Sequence, residues 1–98
     1  MQTHGEYKMP GGKLVVADLV IDAGRLGAVA ISGDFFLEPE SALEAINAAL
    51  TGLPADADAV VLAAAVQRGL PDGAMLYGIS AEAVAVAVRR AVEAGASA

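Results

Sequence analysis

Gly11-Gly12-Lys13 joins two flexible residues to a cation, the grouping that cradles phosphate when it opens a helix. A P-loop, however, needs glycine where Tyr7 stands and Ser or Thr where Leu14 stands, and this loop leads into a strand pattern instead. It reads as a turn, or as a contact made to a partner's ligand. Asp18 and Asp22 fall on one face of an alternating segment. Four residues at about 3.3 Å each set them roughly 13 Å apart, too far for the carboxylate pair of a glycosidase. They read as a solvated face. His4 lies near the N-terminus, in a stretch expected to be mobile and without a serine or carboxylate fixed beside it, so no catalytic role is assigned to it. Asp34 follows Gly33 and is suited to hold a corner by accepting backbone N–H bonds, a reading preferred to a functional contact.

What is missing narrows the chemistry further. The sequence has no cysteine, which removes thiol nucleophiles, disulfides and thiolate metal ligation, and its single histidine argues against a metal site. No catalytic and no metal-binding residue is assigned. The net charge of −6 disfavours nucleic acid and anionic membrane as partners. Only six basic residues exist, and Lys8 and Lys13 flank one loop, the single place where a phosphate-bearing partner would be welcome. Hydrophobic content reaches 56%, largely from alanine, yet no window approaches the roughly 18 to 20 unbroken apolar residues of a membrane span. The first seven residues lack the basic, apolar and small-residue regions of a secretory signal, so a cytoplasmic location is expected.

The elements that would position these residues follow from periodicity. The 98 residues correspond to a single domain over 1–98, burying roughly 65% of its unfolded surface. Val15, Ala17, Leu19 and Ile21 alternate with polar positions and predict a strand over Leu14–Asp22. The turn residues Asp22-Ala23-Gly24-Arg25-Leu26 lead to a second strand over Ala28–Ser32, making a hairpin. Glu6–Met9 predicts a further edge strand, joined through Pro10-Gly11-Gly12.

Three helices follow. Pro39 fits a first helical position, with Ala42, Leu43, Ile46, Ala49 and Leu50 as the buried stripe, and Gly52 and Pro54 as the stop. Asp56 or Asp58 can cap a second helix that buries Ala59, Leu62, Ala63 and Val66 and ends at Gly69-Leu70-Pro71. Ala74–Ile79 reads as an extended connection, and Ser80 caps a third helix carrying Val84, Val88 and Val92. The tail 94–98 carries no ordering signal and is expected to fray. Strands first and helices after predict an α+β fold: a small N-terminal antiparallel sheet of two to three strands packed against about three helices.

Phe35 and Phe36, the only phenylalanines, sit together at the junction of sheet and helix. Adjacent residues in an extended chain point to opposite faces, so one ring can anchor the core while the other is left for a second surface. Parity does not say which. Without a nucleophile, metal site or acid/base pair, a binding module or subunit is the better reading than an enzyme.

The run Gly5-Glu6-Tyr7-Lys8-Met9-Pro10-Gly11-Gly12-Lys13-Leu14-Val15-Val16, a hairpin, then Ile31-Ser32-Gly33-Asp34-Phe35-Phe36 and a Pro-started helix, resembles the C-terminal accessory domain of lipoate-protein ligases. In some organisms that domain is a separate small subunit. The similarity spans essentially the whole chain, but only the Gly-Gly-Lys and Gly-Asp-Phe-Phe segments are specific. It implies a non-catalytic accessory subunit, whose separate catalytic chain binds lipoate and ATP, forms lipoyl-adenylate and transfers lipoyl to a lysine of an acceptor domain. No cofactor would be bound by this chain alone. The implied partner is that catalytic chain, with lipoyl acceptor domains as a further candidate. By motif, the segments Tyr7, Lys8, Gly11, Gly12 and Lys13, and Asp34, Phe35 and Phe36, map to the interface or to the neighbourhood of the ligand. The family's architecture also resembles iron-sulfur scaffold proteins, an activity that the missing cysteines argue against. The alternative reading is an adaptor or binding module for another acyl-transfer enzyme or carrier domain.

Overall fold

The computed structural model describes residues 1–96. Alternation along the N-terminal third produces three antiparallel strands in the order β1 (Gln2–Lys8), β2 (Leu14–Asp22) and β3 (Arg25–Gly33). Val15, Ala17, Leu19, Leu26 and Ile31 are buried on one face, as the period of two requires. The register shifts between Val20 and Ile21, leaving Gly27 without a partner and bending the hairpin. Strand β1 begins at Gln2, well before the expected Glu6, and Gln2–Lys8 pairs in continuous register with Val20–Leu14. The N-terminus is therefore part of the sheet. Met1 extends the pairing, donating to and accepting from the backbone of Ile21.

A second, two-stranded sheet follows, formed by β4 (Phe36–Glu38) and the distant β5 (Met75–Tyr77). The extended connection expected over Ala74–Ile79 is thus half of a ribbon. Short apolar runs carry no sign of their partner, and only tertiary contact assigns one.

Helix α1 (Ser41–Leu50) buries Ala42, Ile46 and Leu50 against the sheet. It begins two residues after Pro39, whose carbonyl accepts from the Ala42 N–H at 2.9 Å, so Pro39 closes the entry turn and is not the first helical residue. Helix α2 (Ala59–Gly69) is capped by Asp58, which accepts from the Val61 N–H at 2.9 Å. Its buried stripe is Leu62, Ala65 and Val66; of the stripe expected, Ala59 is exposed and Ala63 half-buried, because both border an open hollow shared with Glu82, Ala85 and Val86. Helix α3 (Ala81–Ala96) starts at Ser80, whose hydroxyl accepts from the Ala83 N–H at 3.0 Å. It continues through Ala94–Ala96, which were expected to fray; Ser97 and Ala98, the rest of that expectation, lie outside the described residues.

Helix α3 lies along β1 and β2, α1 along β3, and α2 packs on both helices, so the helices cover one face of the sheet. The α+β fold is the one expected. Alanine and glycine make the closest contact possible: a Cβ on Gly5 would overlap the backbone nitrogen of Ala91 and come within 2.7 Å of the Ala87 carbonyl oxygen. Arg89 ties the loop before α2 to α3, donating to the carbonyls of Ala55 and Ala57 at 3.0 and 3.2 Å.

Candidate functional site

Met9-Pro10-Gly11-Gly12 is a tight turn closed by the Gly12 N–H on the Met9 carbonyl at 2.9 Å. Proline presets the second position, and Gly11 supplies the positive φ of +67° at the third, the pattern of a type II turn. Gly11-Gly12-Lys13 is accordingly the end of a β-hairpin, with no helix behind it. The turn sets Lys8 and Lys13 on its two flanks, both exposed and without an ion pair among the described residues.

The corner reaches the same end of the molecule. Gly33 has φ +148°, and a Cβ there would overlap the Leu14 carbonyl oxygen and lie 3.1 Å from the Phe35 ring, so only glycine allows this approach. The Asp34 N–H then donates to the Leu14 carbonyl at 3.2 Å. Asp34 therefore holds the corner through its backbone, and its carboxylate makes no hydrogen bond among the described residues, contrary to the capping role expected of it. Lys8, Gly12, Lys13, Leu14 and Asp34 line one open concavity of about 420 Å³. Two segments separated in sequence by a whole hairpin thus form one surface.

The phenylalanines divide as parity requires. Phe35 is half-buried and packs on the core, while Phe36, in β4, is 57% exposed. Its ring lies 5.8 Å from that of Tyr77 at 39°, a tilted pair across the ribbon. Tyr7 belongs to a different environment: half-buried against the core, it lies under the Arg90 guanidinium, 5.0 Å from the ring centroid. Arg90 also donates to the Glu6 carbonyl at 3.1 Å, so Tyr7 fastens α3 to β1.

Met75, Tyr77 and Gly78 join this end of the molecule without having been expected there. The stem of Lys13 runs across Gly78, where an added Cβ would meet its Cγ at 2.5 Å. The signal in the sequence was the isolated Gly78 beside an aromatic residue in an apolar run, a sign of close backbone approach.

His4 departs from expectation. In place of a mobile end with no fixed carboxylate, its Nδ1 lies 2.6 Å from Asp18 Oδ1 and its Nε2 2.7 Å from Glu6 Oε2. Asp18 is its cross-strand partner and Glu6 follows two residues on along the same face. The Glu6 carboxylate and then that of Asp18 stabilise the imidazolium and raise its pKa above 6.5. No group of three or more His, Cys, Asp or Glu side chains placed to hold a metal ion occurs among the described residues. No helix among them is long and apolar enough to cross a membrane.

No family model matches the chain, and no curated protein does. Among solved structures, the fold is similar to that of a chain from an archaeal lipoylation system of Thermoplasma acidophilum, comprising a bi-partite lipoate protein ligase and its E2 lipoyl domain. The two chains superpose with a TM-score of 0.71 over 91% of this chain and 96% of the other, at 24% identity, which establishes a common fold over nearly the whole length of both.

Proposed function

We propose that this chain is the non-catalytic accessory subunit of an ATP-dependent lipoate-protein ligase, acting with a separate catalytic chain in the activation of lipoate to lipoyl-adenylate. The observation that carries this reading is the fold shared, over 91% of this chain and 96% of the other, with a chain from a lipoylation system that comprises a bi-partite ligase and its E2 lipoyl domain. The adjoining Lys8–Lys13 turn and Gly33–Phe36 corner supply a surface for that contact. Docking a small rigid domain can order the loops of an active site and keep water from a reactive acyl-adenylate.

The test combines the purified chain with the catalytic ligase chain of the same genome, lipoate and ATP. Neither chain alone is expected to accumulate lipoyl-adenylate, and the mixture is; no gain on mixing overturns the proposal. Intact mass measured in the same reaction separates the subunit from a lipoyl acceptor. An accessory subunit keeps its mass, whereas an acceptor gains a lipoyl group on a lysine.

A further inference from the structure

Strand β5 makes the Phe36 corner one half of a ribbon with an exposed face. The register sets Phe36 opposite Tyr77 and Glu38 opposite Met75, so these four side chains share the outer side, while Leu37 and Leu76 pack inward on the core. Phe36 is 57%, Met75 50% and Tyr77 45% exposed, which places half of the six large exposed apolar side chains among the described residues on one ribbon. Scattered exposed apolar residues are ordinary, but aromatic and Met side chains gathered on one face mark an interaction surface.

Charge identifies what fits it. At one end of the ribbon the Lys13 stem crosses Gly78, next to Tyr77, and Lys8 shares its concavity, with Asp34 as the lone carboxylate there. At the other end Glu38 and Glu40 line a hollow with Phe36, Pro39 and Met75. In a chain of net charge −6 the platform is thus adjoined at this end by two lysines that make no ion pair among the described residues. We propose that this face docks an acidic protein segment built around a large apolar anchor. The anchor covers Phe36, Met75 and Tyr77, and the flanking carboxylates reach Lys8 and Lys13. The inference rests on the reading of the chain as one that works through a protein partner, and it specifies that partner's surface.

The probe is a synthetic peptide with a central phenylalanine flanked on one side by glutamates, titrated into the isotope-labelled full chain and followed by NMR. Saturable shifts are expected at Phe36, Met75, Tyr77, Lys8 and Lys13, weakening with added salt. The double variant Lys8→Glu/Lys13→Glu and the exposed-site variant Met75→Glu, each checked for an unchanged melting curve, are expected to bind at least about tenfold more weakly. A lysine-flanked counterpart is expected to leave the spectrum unchanged. Absence of saturable shifts, shifts confined to another face, equal binding of the lysine-flanked peptide, or displacement of the peptide by ATP alone would each overturn the proposal. The adenylation assay separates it from the subunit reading. Full activation by both variants removes the docking surface and leaves the subunit. Peptide binding as described without activation by the native chain removes the subunit and leaves the surface.

Discussion

At the scale of single residues, His4 offers the clearest titration. Both ring nitrogens face carboxylates, Asp18 across the strand pair and Glu6 along it, on a sheet face that no helix covers. Its pKa is raised in the folded state, so the protonated ring favours folding below about pH 6.5, and that contribution disappears as pH rises through the folded-state value. The melting temperature of His4→Gln is therefore expected to fall furthest below the native one near about pH 5.5, with the difference closing toward about pH 8.5. A difference independent of pH contradicts this, and an NMR titration of the ring reads the raised value directly.

The two phenylalanines make a second residue-scale comparison. Phe35→Ala removes a half-buried ring and is expected to cost about 2 kcal/mol, less than the roughly 3 to 5 kcal/mol of a fully enclosed ring. Phe36→Ala loses a tilted cross-strand pair and is expected to cost about 0.5 to 1 kcal/mol. Chemical denaturation of both variants decides between this order and equal losses.

At the scale of elements, the closest seam is β1 against α3. Gly5→Ala drives a methyl into the α3 backbone at Ala87 and Ala91, which cannot move aside as a flexible side chain would, and is expected to cost about 3 kcal/mol or more. Gly11→Ala, in open space at φ +67°, strains only the turn and is expected to cost about 1 to 2 kcal/mol. The reversed order would show that the seam relaxes. Both glycines belong to one short run, yet one serves packing and the other backbone conformation. Periodicity made β2, β3 and all three helices readable, because amphipathic patterns record which face is buried. It could not expose the β4–β5 pairing, where three-residue strands meet across Ser41–Leu50 and Ala59–Gly69. Nor could it place Gln2–Thr3–His4 in a strand, since a polar edge strand carries almost no hydrophobic alternation.

For the whole molecule, the same division holds at the candidate site. Lys8, Lys13, Asp34 and Phe36 were visible as motifs, and the Gly33 corner brings the two groups together by closing on Leu14. Met75 and Tyr77 complete the surface from far along the chain, where Gly78 signals a close approach but not which segment makes it. Tyr7, grouped with the loop by motif, also joins β1 to α3 by lying half-buried under Arg90.

Arg90 has a further effect. Its bond occupies the Glu6 carbonyl of β1, while Asn47 takes the Ile31 N–H and Leu53 and Gly52 pair with Leu26 along the outer side of β3. One carbonyl of β1 and three backbone groups of β3 are thereby occupied, and a strand adding to the sheet at those positions would have to displace the groups that hold them. At those positions, pairing of one chain's sheet with another's is disfavoured without any proline residue in the strand itself.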